Sequence, residues 1–277
     1  MNAARESGGT AVRTLTGLLL AAFSLAVIWL PGFHAVFVAY AAALVAVGAW
    51  EFAGLAHARG VAVPRGGLAV VSALVVLAAY EYQMRLALAV FAFGVLALST
   101  WHLRAGARSL TSLSVSVFGV AYTGLFGAHF CAMHALPHGP ALVTLLAVAI
   151  VLSDTGAYFA GKTLGRRKMA PNVSPKKTWE GSIGGLVLAG AGMLALWLIA
   201  LHGPADVFPK APWYVYCGTG LVLAAIGQVG DLIESMLKRD AGIKDSGALF
   251  PGHGGVLDRC DGFLFTAPVL YHLAVWL

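Results

Sequence analysis

The chain has twelve acidic residues, and eight of them fall in three stretches: Ser153 to Lys162, Ser174 to Gly185 and Asp231 to Asp261. Asp231 and Glu234 are spaced i, i+3, and Asp231 and Ser235 i, i+4, so a helix would carry all three on one face. Asp258 and Asp261 repeat the i, i+3 step if a helix begins just before them. Two such carboxylate pairs, brought together, make a hard-oxygen site suited to Mg²⁺, with a second cation possible. Asp154 lies in an apolar run, where a carboxylate is expensive to bury unless a cation or metal partners it; the alternative is a helix-end carboxylate paired with a loop lysine.

Basic residues are interleaved with these acids. Although only 11% of the chain is charged, Ser235 to Asp261 gathers Lys238, Arg239, Lys244 and Arg259 around Asp240, Asp245, Asp258 and Asp261. Inside that run, Gly252-His253-Gly254-Gly255 is flexible enough to bring backbone N–H groups close to an anion. A second basic segment, Ser174-Pro175-Lys176-Lys177-Thr178-Trp179-Glu180-Gly181, sets two lysines among hydroxyls and a carboxylate, and lysine binds phosphate as a point charge. Gly156 to Thr163 fits the phosphate-loop pattern G-x-x-x-x-G-K-T. That motif needs a strand before it, whereas Leu142 to Leu152 reads as a membrane helix, so the match is taken as coincidental.

These groups must be held by membrane helices. The sequence is 59% hydrophobic over 277 residues, with a mean hydropathy of +0.82, far above soluble domains. Since a span needs about 20 apolar residues, the expected fold is all-α and polytopic. About nine transmembrane helices are predicted, at 15–30, 33–55, 66–82, 84–100, 112–134, 140–160, 183–202, 213–232 and 263–277. Of the 18 basic residues, only Arg85 and Lys210 fall on one side of this arrangement. The excess of Lys and Arg on the other marks it as cytoplasmic, with the N-terminus inside and the C-terminus outside. Arg5 and Arg13 precede the first apolar run without a persuasive cleavage site, so that run is read as a retained helix.

The net charge of +6 then follows from topology and contact with anionic lipid headgroups, and requires no nucleic acid. Residues 1–109 read as scaffold helices and 110–277 as the catalytic part of one continuous membrane domain. Glu51 is the acid inside the scaffold's apolar pattern; near a helix end, capping or snorkelling explains it as well as chemistry does. Gly181, Gly184, Gly185, Gly190 and Gly192 suggest close helix packing. Cys131, Cys217 and Cys260 have no metal-ligand spacing, and idle thiols are favoured over a Cys131–Cys217 bridge.

The run Ser235, Lys238-Arg239, Lys244-Asp245, Pro251, His253-Gly254-Gly255, Asp258-Arg259 and Asp261 resembles the signature of the phosphatidate cytidylyltransferases. Ser153-Asp154-Thr155-Gly156-Ala157-Tyr158 and Ser174 to Gly181 look like that family's other blocks. The resemblance covers about residues 142–277; Cys260 stands where an aliphatic residue is more usual, and Ser153 where Asn is common. It implies that CTP and phosphatidate, drawn from the membrane lipids, give CDP-diacylglycerol and pyrophosphate at the cytoplasmic face of a bacterial inner membrane, and it implies a homodimer. Asp231, Asp258 and Asp261 would hold Mg²⁺, while Lys176, Lys177, Lys238, Arg239, Lys244 and Arg259 would contact phosphates; Lys244 and Arg259 join the three acids as catalytic residues. Ser174, Glu180, Glu234, Ser235, Asp245, His253, Gly254, Gly255 and Asp154 complete the expected substrate-binding set, His253 as a phosphate or loop contact. A CTP-dependent lipid kinase and a transporter are the rival readings. The transporter should carry its ionisable residues near the bilayer midplane.

Overall fold

In lipid every backbone polar group must find its partner within the chain, and this sequence meets that demand almost wholly with helices. The computed structural model describes residues 21–80, 84–105, 109–203, 207–247, 249 and 254–276. Among these the chain order is α1 (21–29), α2 (His34–Ala58), α3 (Arg65–Ala78), α4 (Met84–Arg104), α5 (Leu110–His134), α6 (Gly139–Thr163), β1 (Lys168–Ala170), β2 (Ser174–Thr178), α7 (Trp179–His202), α8 (Trp213–Asp240) and α9 (Leu257–Trp276).

The protein is thus nearly all-α, and α2, α4, α5, α6, α7 and α8 are long and apolar enough to cross a membrane. Three of the nine predicted spans fall outside this set. At 14 residues α3 rises about 21 Å, short of a hydrocarbon core about 30 Å thick. The first turns of α9 carry Asp258, Arg259 and Asp261, and much of the first predicted span lies outside the described residues. Large apolar side chains such as Phe93, Leu96, Ile183 and Val187 face outward, as a lipid-facing surface requires.

One local departure from the all-helical expectation matters for the site. Ser174–Thr178, expected as a loop, is a strand paired antiparallel with Lys168–Ala170. This hairpin lies between α6 and α7.

Small residues set how closely the helices approach. A Cβ on Gly156 of α6 would lie 2.5 Å from the carbonyl oxygen of Gly184 on α7; on Gly181 it would lie 2.8 Å from that of Ala157, and on Gly185 2.7 Å from that of Ser153. The two backbones therefore touch, and the glycines of the phosphate-loop match are used for helix packing in the C-terminal half of α6. On the other side, Phe52 of α2, Leu68 and Val75 of α3 and Val120 and Tyr122 of α5 form a buried core. Helix α5 passes through a π-helical turn at Val120–Leu125, where Ser72 and Thr123 exchange a 3.0 Å hydrogen bond. Cys131, Cys217 and Cys260 are all free.

Candidate active site

The acids and bases collect where α6, α8, the hairpin and the start of α9 meet. Helix α8 runs unbroken to Asp240, so Asp231, Glu234, Ser235 and Lys238 form one stripe, and the Ser235 hydroxyl donates to Asp231 Oδ1 at 3.4 Å. Lys177, carried by β2, places its Nζ 2.6 Å from Asp231 Oδ2; the two side chains are 26% and 37% exposed. Asp154 of α6 and Asp261 of α9 face the same spot. Each carboxylate feels the repulsion of Asp231, and Asp154 is relieved by Lys177 and Arg259.

Asp154, Tyr158, Lys162, Lys176, Lys177 and Asp231 line a cavity of about 430 Å³, with Ser182 and Gln228 at its side. Gln228, one turn before Asp231, ties three helices together. Its Nε2 donates at 3.1 Å to Ser153 Oγ on α6 and at 3.1 Å to the carbonyl of Ser182 on α7, and its Oε1 accepts from the Ser182 hydroxyl. Sequence reasoning missed Gln228, Ser182, Tyr158 and Lys162. A polar amide inside the apolar run of α8 was the available signal, since such groups in a membrane helix face a partner.

A second cluster lies one to two turns further along α8. Lys238 Nζ stands 2.6 Å from Glu234 Oε2 and 2.6 Å from Asp258 Oδ1, and the three side chains are only 12%, 0% and 7% exposed. The other oxygen of Asp258 accepts the N–H of Gly255 at 2.8 Å, that of Ser246 at 2.9 Å and shares the Ser246 hydroxyl at 3.0 Å. Helix α9 begins just ahead of Asp258, so Asp258 and Asp261 do share a helical face, yet they meet different neighbours.

The remaining predicted residues frame the site. Thr178 caps α7 by accepting the N–H of Gly181 at 3.1 Å. Glu180 accepts the N–H groups of Arg166 at 3.0 Å and Arg167 at 3.1 Å, pinning the start of the hairpin. Arg239 donates to the carbonyls of Val173 and Ile243, each at 3.3 Å, joining the hairpin turn to the end of α8. Ser174 is half-buried; Lys176, Lys244, Asp245 and Arg259 are exposed. Gly254 adopts φ +80°, and a Cβ there would lie 2.7 Å from Asp258 Oδ2. His253 lies outside the described residues.

Among the described residues no three His, Cys, Asp or Glu side chains stand close enough to ligate one ion. The chemistry of the donors nonetheless suits a hard cation. Asp231 and Asp261 press like charges together, and Asp231 and Asp258 each already hold an ammonium nitrogen at 2.6 Å. Carboxylates confined in this way bind positive charge.

Fold and site together define an integral membrane protein that gathers carboxylates and lysines around a cavity at one end of its helices. A sequence profile of the cytidylyltransferase family matches residues 11–277, and the chain belongs to that family. A phosphatidate cytidylyltransferase of Staphylococcus haemolyticus is 32% identical over 267 residues, covering 95% of this chain and 98% of that protein. Those of Synechocystis sp. and Bacillus subtilis are 46% and 43% identical over 142 and 153 residues. Those two alignments cover 49% and 55% of this chain and 44% and 54% of the relatives, about half their length.

Proposed function

We propose that the protein transfers the cytidylyl group of CTP to phosphatidate, giving CDP-diacylglycerol and pyrophosphate. The observation that carries this reading is the pairing of Lys177 with Asp231 at the cavity, beside Asp154 and Asp261. A phosphate monoester has its second pKa near ~6, so the lipid phosphate is mostly dianionic at neutral pH and attacks the CTP α-phosphorus without a protein base. A phosphoanhydride oxygen–phosphorus bond forms to the α-phosphorus while the bond to the β-phosphate oxygen breaks, and pyrophosphate leaves with the electron pair.

The protein's part is to position two anions and neutralise them. Asp231, Asp258 and Asp261 would hold Mg²⁺, which when bound supplies charge neutralisation and a template for the triphosphate. Lys176, Lys177, Lys244 and Arg259 contact the phosphates, and Lys238 holds Asp258 in place beside them. Asp154 balances the lysines, and Ser174, Ser235 and His253 complete the polar lining. Glu180, Glu234, Arg239, Asp245, Gly254 and Gly255 keep the surrounding loops in place.

The same reading includes a cytoplasmic-facing site in a bacterial inner membrane, an inside N-terminus and an outside C-terminus. It also includes crossings by α1, α9 and α3, the last so short that the bilayer would thin around it, for nine in all, a scaffold part at 1–109 with a catalytic part at 110–277, and a homodimer. The test supplies purified protein and Mg²⁺ with phosphatidate and CTP labelled at the α- or the γ-phosphorus. Label must enter lipid from the α position. Label entering from γ would indicate a lipid kinase, and a folded preparation that labels no lipid would overturn both enzyme readings.

A further inference from the structure

Helix α9 starts without a cap of its own. The residues before Leu257 are Gly254, Gly255 and Val256, none with a side-chain oxygen to accept the free N–H groups that every helix start leaves. Two of those groups are met from 205 and 206 residues away. Glu51 of α2, 7% exposed, accepts the N–H of Val256 at Oε1 (3.1 Å) and that of Leu257 at Oε2 (2.8 Å). The Ser246 hydroxyl lies 3.0 Å from Glu51 Oε2 and 3.0 Å from Asp258 Oδ2, sharing its proton between them.

The fit allows nothing else in that space. A Cβ on Gly247 or on Gly255 would collide with the Glu51 carboxylate, so both glycines keep the loop against it. Asp258 is the second residue of α9 and Asp261 lies one turn on; the direction of that helix start therefore sets where both carboxylates point. A carboxylate at a helix N-terminus also complements the helix dipole.

We infer that Glu51 is a positioning residue: by capping α9 from the scaffold helix α2, it fixes Asp258 and Asp261 in the orientation the transfer reaction needs. This rests on the reading above that those two aspartates serve the reaction. Glu51→Gln keeps the side chain's size but replaces one acceptor oxygen with a donor facing N–H groups.

The experiment has two readouts on the purified protein. In metal-free protein, amide exchange across 254–258 should quicken about tenfold, the scale on which a lost cap acts. In the assay, kcat should fall at least about tenfold and the Mg²⁺ half-saturation rise several-fold, with the KM for phosphatidate within about twofold of wild type. Ser246→Ala, which removes the bridge between Glu51 and Asp258, should move the same quantities in the same direction by less, and it replaces Glu51→Gln if that variant does not fold. Unchanged exchange at 254–258, or quickened exchange with normal kcat and Mg²⁺ dependence, overturns the inference. Asp258→Asn in parallel tests the underlying reading separately: it should abolish turnover with membrane insertion intact, and near-normal turnover removes Asp258 from the reaction whatever Glu51 does.

Discussion

Two ion clusters lie along one stripe of α8, and they are built in opposite ways. The Lys177–Asp231 pair opens onto the cavity, and its lysine arrives on a short hairpin. The Lys238–Glu234–Asp258 bridge is closed, with Glu234 fully buried and Asp258 nearly so. A pair that keeps some contact with solvent is held less tightly than a buried one, approaching about 0–1 kcal/mol at a fully exposed surface, so the partly exposed Lys177 and Asp231 exchange more readily for phosphate or metal. A buried charge that loses its partner costs about 3–5 kcal/mol. The first cluster is thus suited to exchanging ligands during turnover, and the second to holding Asp258 in place and α8 and α9 in register.

The contrast breaks if both clusters respond alike to substitution. Asp231→Asn should lower turnover by about 1000-fold or more, on the order of 4 kcal/mol of transition-state stabilisation, while thermal unfolding in detergent stays near wild type. Lys238→Met leaves Glu234 and Asp258 confronting each other, and should destabilise the folded protein by about 3–5 kcal/mol in the same unfolding measurement. Lys177→Ala should raise the KM for CTP about tenfold, one phosphate contact's worth, and change stability by less than about 1 kcal/mol. Smallest of all, raising salt from ~0.05 to ~0.5 M should weaken CTP binding at the open cluster by screening and leave the unfolding midpoint of the closed one almost unmoved.

Much of this arrangement was legible in the sequence because helix geometry is local. The 3.6-residue period puts Asp231, Glu234 and Ser235 on one face without knowledge of the rest of the fold, and the glycines between 181 and 192 announce a close helix contact. What periodicity does not carry is the identity of the neighbour. Asp258 and Asp261 share a face, yet one meets Lys238 and the loop at Ser246 while the other turns toward Asp231. Ser-Pro-Lys-Lys-Thr has little strand propensity and becomes β2 by pairing with Lys168–Ala170. Asp154 and Lys177 line one cavity, beside the place where the α6 and α7 glycines bring those two helix backbones into contact.

Glu51 shows the same limit from the other side. Its type and depth fit a cap, but nothing local to α2 reveals that the capped helix is α9, 205 residues away. Span count was limited differently. Hydropathy marks apolar runs, while the length of α3 and the charges at the start of α9 decide whether a run also meets the length and charge demands of a membrane crossing.

The claim that Asp231 and Asp261 carry the metal, with Asp258 held in place by the closed cluster, is tested most directly by titrating Mn²⁺ into the purified protein with CTP present and following free ion by electron paramagnetic resonance. The wild type should bind Mn²⁺ in competition with Mg²⁺, and Asp231→Asn and Asp261→Asn should each abolish that binding without unfolding. Wild-type Mn²⁺ affinity in folded Asp231→Asn protein would contradict the account.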